Sequence, residues 1–126
     1  MGSLLKDVIT FLMESIEKFT FKFVWMSLLK TYHHQINSLC VNHKVNTLFA
    51  FGSVLLETFN NESDIDLLVN FEPIEIAKYA DNYYDLKFSL QNLLKRKIDL
   101  IEEQAISNPY FLKAINNNKK LIYGTN

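Results

Sequence analysis

The sequence predicts an α/β (α+β) chain, a small mixed β-sheet of about four strands flanked by helices. Three observations predict it. Four apolar runs have strand length, at 45–51, 64–71, 97–102 and 119–124. Before and between them lie longer segments whose apolar residues recur every three or four positions, the spacing of one helix face. Turn residues mark the joins, among them Gly52, "NNES" at 60–63, Pro73 and Pro109. At 126 residues the chain has room for one such domain with its own core.

The elements follow in order. Residues 4–25 read as an amphipathic helix, with Leu4, Leu5, Val8, Ile9, Leu12 and Ile16 spaced for one face. We treat 1–25 as an N-terminal helical extension that packs on its own domain or on a partner, or, given the opening "MGS", is foreign to the natural chain. Residues 26–126, opening at Met26, form the domain proper. Charges at Lys6, Asp7, Glu14, Glu17 and Lys18 leave no run of about 18 apolar residues, and no A-x-A site follows a clean apolar stretch. Neither a membrane span nor a secretory signal is therefore expected. Residues 26–43 form a second helix, with Leu28, Leu29, Tyr32, Ile36, Leu39 and Cys40 on one face. Strand 45–51 ends at Gly52, a short helix follows at 53–59, and the turn at 60–63 leads into strand 64–71. Pro73 stops that strand. Helix 75–95 turns Ile76, Tyr79, Tyr83, Leu86, Leu90, Leu93 and Leu94 to one side. Strand 97–102 places Lys97, Asp99 and Ile101 together, Pro109 opens a helix over 109–118, and 119–124 is a last, edge strand.

Composition excludes some classes of function. A formal net charge of −1 gives no general attraction to nucleic acid or to membranes. The single cysteine, Cys40, forms no internal disulfide, which suits a reducing cytoplasm, and its place on a helix face reads as core. His33, His34 and His43 read as a solvated helix face, because neighbouring helical histidines diverge too far to chelate one ion. The aromatic stretch ending at Trp25 reads as core, with an oligomer or partner surface as the other meaning. The basic run "LKRK" at 94–97 reads as a solvated helix end.

The chemistry is carried by acids inside a strand. Asp64 and Asp66 are two apart, so both project to one face while Ile65 and Leu67 take the other. Two carboxylates about 5 Å apart repel by roughly 3 kcal/mol at an effective dielectric near 20. Two surface aspartates capping a turn are the ordinary meaning of such a pair. The context is different here. Gly52-Ser53 lies between a strand and a helix start, where glycine permits close approach and free N–H groups with a hydroxyl hold a phosphate. A third acid, Asp99, sits in a strand otherwise built of Ile and Leu. If the two strands are neighbours, three carboxylates converge, and oxygen-only ligands of this kind suit Mg²⁺ or Mn²⁺ in a two-metal phosphoryl-transfer centre.

The run "FGSVLLETFNNESDIDLLVNF", with "KIDLI" and the closing "KLIYG", resembles the nucleotidyltransferases of the DNA polymerase β superfamily, and more narrowly the bacterial minimal nucleotidyltransferases. The likeness runs from about residue 27 to the end. It implies a polymerase β palm-like fold in which Gly52 and Ser53 hold the triphosphate of ATP or another NTP. It implies that Asp64, Asp66 and Asp99 bind Mg²⁺ (or Mn²⁺), and that Asp99 helps deprotonate an acceptor hydroxyl. It also implies transfer of AMP to a hydroxyl on a HEPN-domain toxin, the chain serving as the antitoxin. In one respect the sequence departs from the pattern. The run "VLLET" at 54–58 offers no basic residue after Gly-Ser, so Lys87, Lys95, Arg96 or Lys97 would have to serve from another element. The alternative reading is a catalytically weak antitoxin that blocks a ribonuclease by contact. A small-molecule modifier of the aminoglycoside type is less fitting, since those carry an extra helical domain.

Overall fold

The computed structural model describes residues 4–10, 12, 26–52 and 64–125. The expected helix at 53–59, the turn at 60–63, Ser53, Trp25 and most of the N-terminal helix beyond residue 12 lie outside the described residues. A helical stretch over 26–31 leads through Tyr32 into α1, His33–Asn42. There follow β1 (Val45–Phe51), β2 (Ile65–Phe71), α2 (Ile76–Leu94), β3 (Ile98–Glu102), a 3₁₀ turn (Glu103–Ala105), α3 (Pro109–Asn118) and β4 (Lys120–Tyr123). Every strand expected from the apolar runs is present within a residue or two of its predicted ends. The four strands lie in the order β3-β2-β1-β4, with β2 and β3 parallel and the other two pairs antiparallel. The sheet is therefore mixed, and β4 is an edge as expected.

Strand alternation divides the core in two. Val45, Leu48, Ala50, Ile65, Leu67, Val69, Ile98 and Leu100 face α1 and α2, meeting Ile36, Cys40, Leu86, Leu90 and Leu94 in the larger cluster. Phe49, Phe51 and Leu68 face the other way, onto Ile115 of α3 with Ile101 and Ile106 beside them. Among the described residues, one sheet face is thus covered by two helices and the other by α3.

Two expectations are corrected. Ile76, expected on the buried face of α2, is 95% exposed at the first position of the helix, and the inward contact of that turn is made by Tyr79 on Phe71. Leu4, Leu5, Val8, Ile9 and Leu12 of the N-terminal segment are exposed. His43 is not on a solvated face but buried at the end of α1. Its Nδ1 lies 2.6 Å from the Leu39 carbonyl and its Nε2 lies 2.5 Å from Asp85 of α2, both acceptors, while Asn82 donates to the His43 carbonyl. This clamp fixes α1 against α2. His33 and His34 remain exposed on the outer side of α1.

Local chemistry explains the helix ends. Asn108 caps α3 by accepting from the backbone N–H groups of Tyr110 and Phe111, and Pro109 occupies the first helical position. Lys95 ends α2 with φ 54°, a left-handed conformation that glycine usually takes. Among the described residues no helix is long and apolar enough to cross a membrane.

Two outcomes follow. Asn108→Ala should lower stability by about 1 kcal/mol in urea denaturation, through loss of two accepted hydrogen bonds. Burial pushes the Cys40 thiol from 9.0 up to about 12. The fold prefers the neutral thiol, so this contribution is whole below pH 9.0 and is lost as pH rises through about 12. The denaturation midpoint should fall over that window, and fall less in Cys40→Ala.

Candidate functional site

The site forms where β1 ends and β2 and β3 begin. Asp66 is the second residue of β2 and Asp99 the second of β3, and the parallel register sets their Cα atoms as direct partners. Parallel partners project to the same face, so the two carboxylates share one side of the sheet. The antiparallel register brings Phe51, at the end of β1, opposite Asp66 from the other flank. That side is the α3 face, because Ile65, Leu67 and Leu100 between and around the acids all point into the larger core. The same alternation that buries the isoleucines and leucines presents the aspartates.

Gly52 closes the strand with φ +68°. A Cβ at this position would overlap the Asp66 carboxylate oxygen and come 3.2 Å from its Cγ. Only a residue without a side chain lets the bend lie against that acid. Gly52, Asp66 and Asp99 line a cleft of about 610 Å³. Its remaining lining is Phe51 of β1, Ile101 of β3 and Phe111, Ala114, Ile115 and Asn118 of α3.

Asp64 stands just before β2 and does not line this cleft. Its Oδ2 lies 3.8 Å from Lys97 Nζ, and the half-buried Arg96 is a second cation within its field. Burial lowers the Arg96 pKa while Asp64 works against that shift. The "LKRK" segment is therefore more than a solvated helix end: Leu94 is buried, and Arg96 and Lys97 face an acid. Among the described residues no three His, Cys, Asp or Glu side chains stand close enough together to enclose a metal ion. The structure brings Asp66, Asp99 and Gly52 together, places Asp64 near Lys97 and outside the cleft lining, and leaves Ser53 outside the described residues.

The donor set nevertheless fits a hard divalent cation. Two carboxylates on adjacent strands supply the oxygen ligands that Mg²⁺ commonly takes from protein, with phosphate and water completing its shell. The strand assignments alone did not disclose the α3 wall. Phe111, Ala114, Ile115 and Asn118 are spaced i, i+3, i+4 and i+7, so one helix face was legible, but its partner across the cleft was not.

A four-stranded mixed sheet flanked by helices, with two acids paired on adjacent strands beside a glycine bend, is the plan of a nucleotidyltransferase fold. The chain belongs to the polymerase beta nucleotidyltransferase family, which it matches over residues 34–126. A relative from Methanocaldococcus jannaschii, provisionally named a protein adenylyltransferase, is 39% identical over 82 residues, covering 64% of this chain and 78% of its own. A solved structure provisionally described as a minimal nucleotidyltransferase is 27% identical with a TM-score of 0.61, covering 73% of this chain and 90% of its own. The complex of a tri-AMPylated Shewanella oneidensis HEPN toxin with its MNT antitoxin shares the fold, with 19% identity, a TM-score of 0.54, and coverage of 77% and 73%.

The Gly52–Asp66 contact has a measurable consequence. Gly52→Ala should cost about 2 kcal/mol or more, from the left-handed backbone and from displacement of the carboxylate. In an Asp66→Ala background the same change should cost only the backbone share, about 1 kcal/mol. Denaturation of the four proteins reads the coupling.

Proposed function

We propose that this chain transfers AMP from ATP, with Mg²⁺ or Mn²⁺, to a hydroxyl on a HEPN-type toxin protein for which it is the antitoxin. The observation that carries the reading is the pairing of Asp66 with Asp99 beside Gly52 in one cleft. The family supports nucleotidyl transfer, and the archaeal relative, named as a protein adenylyltransferase, supports a protein acceptor. The Shewanella complex, in which the HEPN toxin is tri-AMPylated, suggests which class of protein that acceptor is.

In this reading Asp66 and Asp99, with Asp64 joining them, hold the cation. Gly52 and the adjoining Ser53 hold the triphosphate. The Asp64–Lys97 pair itself, exposed and 3.8 Å apart, contributes about 1 kcal/mol or less and is little obstacle to that. Lys97 then remains beside the phosphates and supplies the positive charge that residues 54–58 lack. When bound, the cation neutralises charge on the attacking and leaving oxygens. The acceptor oxygen forms a bond to the α-phosphorus, the bond to the β-phosphate oxygen breaks, and pyrophosphate leaves. Asp99 takes the hydroxyl proton.

The absence of a basic residue at 54–58 favours a second reading, in which the chain binds and occludes the toxin without transferring a nucleotide. One experiment separates the two. The protein, its HEPN partner, labelled ATP and Mg²⁺ are combined, and label on the partner is measured. Transfer that falls by about 100-fold or more in Asp66→Asn and in Asp99→Asn supports the enzyme. A stable complex that never takes up label, and is unchanged by either substitution, supports the binding module.

A further inference from the structure

We infer that the α3 wall of the cleft is a nucleobase-binding surface, with Phe111 as its stacking platform; the inference rests on the nucleotide reading above and adds where the base sits. The cleft has two chemistries. Gly52, Asp66 and Asp99 offer groups for phosphate and cation within a space of about 610 Å³. The rest of the lining is mainly apolar and aromatic, from Phe51, Ile101, Phe111, Ala114 and Ile115. A ligand that is anionic in one part and flat and apolar in another matches both, and a nucleotide is such a ligand.

The wall has the features of a stacking site. Ile115 is buried against Phe49, Phe51 and Leu68 and seats α3 on the sheet. One turn earlier Phe111 is 44% exposed, an aromatic ring kept half in water at the cleft rather than buried in the core. Its backbone N–H donates to the Asn108 cap at 3.3 Å, which fixes the ring's origin in the first turn of the helix. Ala114 between them is small and leaves room for a planar ring to approach. Asn118 closes the row with an amide that offers a donor and an acceptor side by side, the pattern that complements the edge of adenine. Its Nδ2 donates to the Ala114 carbonyl at 3.3 Å.

The test compares a ligand with a base to one without. Binding of ATP and of inorganic tripolyphosphate, each with Mg²⁺, is measured by calorimetry on wild type, Phe111→Ala, Phe111→Trp and Tyr110→Ala. Phe111→Ala should weaken ATP by roughly 10-fold and leave tripolyphosphate unchanged. Phe111→Trp should retain ATP affinity. Tyr110, 83% exposed and outside the cleft lining, is the control, and Tyr110→Ala should change neither ligand. Equal loss of both ligands in Phe111→Ala, or no loss of ATP, overturns the inference while leaving the phosphate reading intact. Wild type that binds neither ligand overturns both.

Discussion

The parallel register between β2 and β3 is the constraint on which the rest depends. Asp66 stands opposite Asp99 because Ile65 pairs with Ile98 and Leu67 with Leu100, and those four residues are all buried in the larger cluster. A slip of one residue by either strand would send its own aliphatic side chains to the α3 face and its acid into the core. The energetic penalty for that exchange is large, since it exposes apolar surface and buries a charge at once. Hydrophobic burial on one side of the sheet therefore holds two mutually repelling carboxylates in place on the other. The site needs no special device to bring its acids together; it inherits their alignment from the core.

The supporting elements act on that register from both sides. α1 and α2 lie against the buried face and are joined by the contacts of His43 with Leu39, Asp85 and Asn82. Tyr83 of α2 donates its hydroxyl to the Leu100 carbonyl, occupying a backbone acceptor in β3, an edge strand. Burial raises the pKa of that hydroxyl, and the charges near it, Asp99 and Glu102 among them, push the same way, so it keeps its proton as a donor. On the open face Gly52 supplies what no other residue can, a bend lying directly on the Asp66 carboxylate.

Much of this was legible in the sequence, and for identifiable reasons. The strands were short apolar runs bounded by Gly52, Pro73 and Pro109, and their alternation told which face each aspartate takes. The helices of 26–43, 75–95 and 109–118 declared themselves by spacing, and their ends agree within a residue or two. What was not legible depended on contacts between distant segments. Nothing local to His43 announces Asp85, which is 42 positions away. Ile76 has the right spacing for a buried face and yet is exposed at the first position of its helix, where Tyr79 makes the inward contact on Phe71. The engagement of Asp64 with Lys97 required the β2–β3 pairing before it could be read. Likewise the row from Phe111 to Asn118 gained meaning only once α3 was seen to lie across the open face.

Among the described residues the two sheet faces are covered unequally, by two helices and by α3, and this bears on how such a chain diversifies. α3 is ten residues long and commits one of them, Ile115, to the buried core. Its other cleft-facing positions can drift through mutation without disturbing the packing that keeps the acids in line. A lineage built on this plan can retune what it accepts by exchanging a few residues on one short helix, leaving its chemical machinery and its stability where they were.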